Sequence, residues 1–346
     1  MNILMLGQFE DQQTGLYIAR AFHDMKHKGH GVDTRALVKH YGFEQAQIEV
    51  FNEIDDLKLD VEIDVVLVLK GLELAEETLD KLRLRFKNSI FVNWFFDVYL
   101  EEKPIWENKD KYDFINKFDF FVCSLKGVAD KLKEKGFSNI YYVDQACHPL
   151  YNGEVSMNNY QKRLYGEDIS FVGNLGYIAH SNRIKTLNRI IDEGFNIKIW
   201  GDIVVDPKYI GPKIFDKHSG RTVYNEDHSK VCASSLINLG VDQDESVDMG
   251  WSARLYKVLC AGGLYLTNAT KGLDKMFNVN KKGEPITDDQ DLVVFYDEED
   301  LTKKLDFLLE HEDIRESIRK NGQKKVLEYH TYEHRLNELL DLITGE

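Results

Sequence analysis

Residues 250–273, GWSARLYKVLCAGGLYLTNATKGL, hold the densest set of groups in this chain that could do chemistry. They read as a polar turn of small residues, an amphipathic helix, a Gly-Gly break and a short apolar strand. A helix that opens with Ser252 and Arg254 in its first turn offers unpaired backbone N–H groups and positive charge together. A diphosphate can sit at such a place. Lys257 follows Arg254 by three residues and so shares its face. The Gly262–Gly263 pair lets the chain leave the helix in a left-handed conformation and enter the next strand tightly. The same pattern also describes an ordinary αβ unit with a glycine cap, and the local text leaves both readings open.

Three further loops fall where an α/β sheet would bring them to its carboxyl edge, the usual place for a ligand. Gly173-Asn174-Leu175-Gly176 opens a helix bearing His180, Asn182 and Arg183. Its N–H groups can hold a phosphate, and Arg183 can reach the same anion; a plain strand-to-helix turn would look alike. Asn93-Trp94-Phe95-Phe96-Asp97-Val98-Tyr99 joins an acid to several aromatics. Aromatic faces can stack on sugars or bases, and Asp97 could take a hydroxyl proton as general base. A packed aromatic corner with a helix-capping Asp is the alternative. The loop from Gly7 to Gly15, GQFEDQQTG, is not a G-x-G-x-x-G fingerprint. It is either a surface turn or a flexible loop near a cleft.

Two short acidic patterns, Asp242-Gln243-Asp244 and Asp289-Gln290-Asp291, match a loose D-x-D. In a chain this acidic the match is weak, and no metal site is expected from it. His148 stands between Cys147 and Pro149 and reads as a packing residue at a domain boundary.

The elements that would carry these loops alternate between strand and helix. Strands are expected at 2–6, 32–38, 64–69, 90–94, 119–123 and 140–143, with helices between them. The run Asp64-Val65-Val66-Leu67-Val68-Leu69 is a strand buried on both faces. Residues 145–166 lose the pattern and read as a linker. A second block follows: strand 168–173, helix 178–193, strand 195–200, helix 225–234, strand 235–239, helix 252–261, strand 263–267 and strand 292–295. The closing residues, 313–344, are helical with a break near His330–Thr331. Such alternation implies parallel, doubly wound α/β sheets.

The 346 residues suit two cores better than one. Apolar residues make up 43% and charged residues 30%, which describes a globular chain rather than a disordered one. No apolar run nears the ~18–20 residues needed to span a bilayer. The opening MNILMLGQFED reads as a strand rather than a signal peptide, so a cytoplasmic location is expected. The scattered Cys123, Cys147, Cys232 and Cys260 suggest buried thiols and neither a disulfide framework nor a zinc site. A net charge of −15 argues against a duplex nucleic-acid partner, although a local basic groove could be hidden by it.

Taken in order, five segments resemble the C-terminal domain of CgeB-like glycosyltransferases, a branch of the two-Rossmann-domain (GT-B) enzymes. They are Ile169-Ser170-Phe171-Val172-Gly173-Asn174, then Thr222-Val223-Tyr224 with Ala233-Ser234-Ser235-Leu236-Ile237-Asn238-Leu239, then the stretch from Ser252 to Thr267. Gly272-Leu273-Asp274-Lys275-Met276-Phe277 and His330-Thr331-Tyr332-Glu333-His334-Arg335-Leu336 complete the set. The likeness covers roughly residues 166–343, and the first half resembles the family only loosely.

The resemblance implies two Rossmann-like domains facing a cleft. It implies an acceptor-side domain at 1–160, a nucleotide-sugar domain at 161–328 and a last helix, 329–346, returning to the first. It implies transfer of a sugar from a nucleotide-sugar, most simply a UDP-sugar, to a hydroxyl acceptor, with no required metal and no cofactor beyond that co-substrate. The acceptor could be a glycan, a protein, a small molecule or a modified DNA base, the last as in phage enzymes. A non-catalytic nucleotide- or carbohydrate-binding relative is the rival. On this reading Gly7, Gly173, Asn174, Arg183, Tyr224, Ser252, Arg254 and Lys257 surround the donor and Asp97 is the base. Three positions depart from the family. Asp97 lacks the second Asp and the Pro of "N-x-D-D-P". Lys257 stands where relatives place a Glu that holds the donor ribose, and His148 where they place an Asp.

Overall fold

The structure is a computed structural model that describes residues 1–10, 13–97, 111–175, 181–203, 209–242 and 246–345. It divides into two compact units: Met1–Gln145 together with Tyr332–Glu346, and Ala146–Thr331.

In the first unit six strands are ordered β2-β1-β3-β4-β5-β6. They are β1 (Asn2–Gly7), β2 (Lys28–Asp33), β3 (Val65–Leu69), β4 (Ile90–Phe95), β5 (Phe120–Cys123) and β6 (Ile140–Tyr142). Every pairing is parallel. The β-branched run expected to be buried on both faces is β3, all five of whose residues are buried, and it pairs with β1 from Ile3↔Val65 to Leu6↔Val68. The strand expected at 32–38 ends instead at Asp33, and a helix, Thr34–Tyr41, replaces its second half. The cause is local. The Asp33 carboxylate accepts the N–H of Ala36 at 2.8 Å and caps that helix. The helix Tyr332–Thr344 belongs to this unit. It packs on Thr14–Asp24, with the rings of Tyr17 and Tyr332 6.1 Å apart.

The second unit holds a parallel sheet ordered β11-β10-β9-β7-β8. Its strands are β7 (Ile169–Val172), β8 (Ile197–Trp200), β9 (Ile237–Gly240), β10 (Tyr265–Asn268) and β11 (Val293–Phe295). Ile169, Phe171, Ile199, Leu239, Leu266 and Val293 form its core with Leu301, Leu305 and Leu308 of the helix Glu298–Glu310. Residues 145–166 are not a featureless linker. They contain two short helices, Pro149–Asn152 and Asn159–Tyr165. The second is closed by a capping box between Asn158 and Gln161, and it packs on the helix Asn225–Ser234. Helices of four and seven residues are too short to show a 3.6-residue period, so the pattern hid them. His148 caps the first of them, its Nδ1 accepting the N–H of Leu150 at 3.2 Å.

Both units are therefore parallel α/β domains, as the alternation implies. All four cysteines are buried thiols. Among the described residues no helix is long and apolar enough to cross a membrane.

Candidate functional site

The order β9-β7-β8 puts a topological switch point between β7 and β9, because the chain leaves β7 toward β8 and later returns on its other side. Ligands of open α/β sheets bind in the crevice at such a point, beyond the carboxyl ends of the strands. Here the carboxyl ends of β7, β9 and β10 carry the turn at Gly173, the residues Val241–Asp242 and the side chain of Asn268. Asn268 Oδ1 accepts the N–H of Asp242 at 2.8 Å and fixes that turn.

Two guanidinium groups meet there. Arg254 opens the helix Arg254–Cys260, and Arg183 lies in the helix Ser181–Asp192. Their Cζ atoms lie 5.3 and 5.4 Å from the ring centre of Phe171 on β7. Arg183 is 7% exposed. It donates from Nη1 to the Asn174 carbonyl at 2.6 Å and from Nη2 to the Val241 carbonyl at 3.1 Å. Arg183 therefore ties the turn after β7 to the turn after β9, while its Nε is buried with no hydrogen-bond partner among the described residues. Arg254 differs. Its Nη1 is buried and has no hydrogen-bond partner among the described residues. Leaving such a donor unmatched costs about 1–3 kcal/mol.

The surroundings of the two arginines are charged and mostly buried. Asp242 is 6% exposed, and its carboxylate accepts the Ser252 N–H at 3.3 Å. Burial raises its pKa, opposed by Arg254 and Arg183. Lys257, one turn after Arg254, is held down to about 8 by burial and by Arg254. His228, on the helix Asn225–Ser234, is pushed down to about 3 by burial, then by Lys257 and Arg254, so its imidazole is neutral at physiological pH. Arg183 is lowered by burial and then by Arg254. Two guanidinium groups thus flank one carboxylate, and Arg254 makes Arg183 and Lys257 harder to charge. An anion entering this group would relieve the repulsion and meet the open Arg254 donor. The Ser252 hydroxyl is buried there too, beside Asp242.

Two glycines make room for the cluster. A side chain at Gly173 would meet Arg254 Nη2 at 2.7 Å and Phe171 Cζ at 3.0 Å. One at Gly240 would meet the Tyr265 hydroxyl at 2.0 Å. Sequence reasoning named Gly173, Asn174, Arg183, Ser252, Arg254 and Lys257, which the fold brings to one end of one sheet. It missed His228, Tyr265 and Gly240. It read Asp242 only as half of a D-x-D, and the rest of that pattern, Gln243-Asp244, lies outside the described residues. So do Gly176 and His180.

Tyr224 stands one strand further out, before the helix Asn225–Ser234. Its hydroxyl lies 3.4 Å from Asp202 Oδ2, and its pKa is raised by partial burial and by that carboxylate. Asp289 and Asp291 serve their own loop. Asp291 Oδ2 accepts the Asn278 N–H at 2.8 Å and Asp289 Oδ1 accepts the Thr287 hydroxyl at 2.6 Å.

In the first unit, Gly7 ends β1 against Leu69, whose Cβ a side chain there would meet at 2.8 Å, so packing accounts for this glycine. Asp97 follows β4, half-exposed, and pairs with Lys70 at 2.7 Å. Lys70 follows β3 with φ 60°, a left-handed conformation that costs a non-glycine residue about 1 kcal/mol or more. The aromatics before Asp97 do not form a stacking platform. Trp94, Phe95 and Phe96 are buried, and Trp94 Nε1 donates to Ser124 Oγ at 2.9 Å and to the Val143 carbonyl at 3.2 Å. A strand buried on both faces turns every side chain into core, which the aromatic composition alone did not reveal. Val98 and Tyr99 lie outside the described residues.

Residues 181–341 match the glycosyl transferase-like family. No curated protein matches the chain in sequence. Among solved structures, the chain is similar to a glycosyltransferase from Rickettsia africae ESF-5, at 12% identity and TM-score 0.65 over 99% of this chain and 97% of that one. It is similar to the catalytic domain of starch synthase IV from Arabidopsis thaliana bound to ADP and acarbose, at 9% identity and TM-score 0.69 over 100% and 99%. It is also similar to MnaA from S. aureus in a co-structure with UDP, at 10% identity and TM-score 0.56 over 100% and 97%. At these identities the likeness establishes the fold.

Proposed function

We propose that this chain, which carries a glycosyl transferase-like domain over 181–341, moves a sugar from a nucleotide-sugar to a hydroxyl acceptor. The observation that carries this reading is the Arg254 guanidinium. Among the described residues one of its buried nitrogens has no hydrogen-bond partner, beside a second guanidinium at the switch point of a parallel sheet. Such a donor can take an anion, and a nucleoside diphosphate is the anion that sugar transfer releases. As the glycosidic bond breaks, negative charge builds on the diphosphate, and fixed cations stabilise it without reorganising. Arg254 and Lys257 supply that charge, so the reaction needs no metal on this reading. Arg183, already committed to two carbonyls, positions the loops and contributes its field. Gly173 and Asn174 shape the turn against which the diphosphate lies, and Ser252 offers its hydroxyl.

Similar folds hold UDP or ADP, which supports a nucleoside diphosphate as leaving group. We take uridine as the base and the CgeB-like branch as the subfamily, from the ordered motifs. Asp97 is the proposed general base for the acceptor hydroxyl. Its replacement by Asn should lower transfer by about 10²–10⁴-fold and leave donor binding unchanged. Calorimetry against a panel of UDP-, GDP-, TDP- and CMP-sugars tests the reading. Binding of one class is expected, with UDP-sugars first. Binding of none would turn the choice toward a non-catalytic carbohydrate-binding protein.

A further inference from the structure

We infer that Asp202 binds the ribose diol of the donor nucleotide. The inference rests on the nucleotide reading above and adds a residue and a subsite to it. Topology gives the first reason. β7, the turn at Gly173, the helix Ser181–Asp192 and β8 make one βαβ unit, and Asp202 follows the second strand by two residues. In doubly wound nucleotide-binding folds, an acid beyond the second strand is placed to accept hydrogen bonds from ribose hydroxyls, while the first turn holds phosphate.

The local geometry supplies the second reason. Gly201 lies so close to the Gly173 turn that a side chain on it would meet the Gly173 carbonyl oxygen at 2.5 Å. The Asp202 carbonyl accepts the Leu175 N–H at 2.9 Å, and Leu175 forms a lone parallel bridge with Ile203. Asp202 is thus locked beside the turn whose other side touches Arg254. Diphosphate and ribose are bonded neighbours in the ligand, and Arg254 and Asp202 flank one turn in the protein.

The chemistry of the carboxylate supplies the third. Asp202 is exposed. Thr222 Oγ1 donates to its Oδ1 at 2.6 Å, and the Tyr224 hydroxyl lies 3.4 Å from its Oδ2. An ionised carboxylate has about four acceptor positions. Two neighbours fix its plane and leave acceptor capacity on both oxygens, which suits a vicinal diol. A purely structural cap would explain the Thr222 bond but not an exposed carboxylate aimed from the nucleotide end of the sheet.

The test is calorimetry of the full chain with UDP, GDP and ADP, and with the 2′,3′-dideoxy counterpart of whichever binds best. The wild type should prefer the ribose form by at least about tenfold, the value of one good polar contact. Asp202→Ala should bind both forms within about threefold of each other, at the affinity the wild type shows for the dideoxy form. Should alanine disturb folding, Asp202→Asn, with one acceptor oxygen in place of two, should still cut the preference severalfold at an unchanged Tm. A wild type that does not discriminate, or an Asp202→Ala protein that still does, overturns the ribose assignment and leaves the diphosphate reading standing. A wild type that binds none of the three diphosphates overturns both.

Discussion

Arg183 and Arg254 share one phenyl ring: their guanidinium carbons lie 5.4 and 5.3 Å from the centre of Phe171. The ring keeps two like charges close in a largely buried place. Asp242 offsets part of that charge, and the remainder is what a diphosphate would neutralise.

Asp242→Asn should separate stability from binding. The substitution keeps shape but removes the carboxylate beside two guanidinium groups. Burial raises the Asp242 carboxyl in spite of the two guanidinium groups, so the fold disfavours its charge. The apo protein should keep its stability or gain some, read as an equal or higher midpoint in chemical denaturation. Nucleoside diphosphate binding should be retained or tightened, because an anion no longer meets a like charge. Weaker binding at unchanged stability would place Asp242 among the ligand contacts instead.

The glycines should fail in different ways. A methyl group at Gly173 presses on Arg254 Nη2, the far end of a flexible side chain. Gly173→Ala should fold and bind nucleotide about tenfold more weakly, a change of ~1.4 kcal/mol. A methyl group at Gly240 would stand 2.0 Å from the hydroxyl and 2.3 Å from Cζ of Tyr265, a rigid and fully buried ring. Gly240→Ala should destabilise by about 1–3 kcal/mol or more through overpacking. Paired thermal melts and titrations distinguish the two outcomes.

Lys257 gives a pH dependence with two opposite signs. Burial and Arg254 hold it down to about 8, against an unfolded value of 10.5. Its charge helps to bind an anion, so affinity should fall as pH rises through about 8. In the apo protein the depressed pKa means that the unfolded chain binds the extra proton between pH 8 and 10.5. This lysine's contribution to stability therefore rises with pH across that window. Lys257→Met should flatten both trends. A variant that titrates like the wild type in both measurements would assign them to another group.

The sequence made part of this legible. The apolar run of β3, the Gly173 turn and the helix opening at Arg254 all leave local signatures, and from them the parallel α/β fold and most of the cation cluster follow. The neighbours of those cations leave none. Asp242 reaches Arg254 because β9 ends beside β10, and Tyr265 lies under Gly240 through the register Tyr265↔Asn238 and Thr267↔Gly240. Lys70 pairs with Asp97 across 27 residues, and Thr222 with Asp202 across 20. Such contacts are set by strand order, which no local window contains. Trp94 misled for the opposite reason. Its composition suits a sugar platform, and only its place in a fully buried strand shows it to be core.

The most direct measurement is the affinity of UDP for the wild type and for Arg254→Ala, by calorimetry, with thermal midpoints recorded alongside. A charge-assisted bond from a buried donor contributes about 1.5–3 kcal/mol. The variant should keep a midpoint close to that of the wild type and bind UDP about ten- to a hundredfold more weakly. Equal affinity in the two proteins would show that the anion site is elsewhere. Loss of the fold in the variant would show that Arg254 is a structural partner of Asp242 rather than a ligand for the donor.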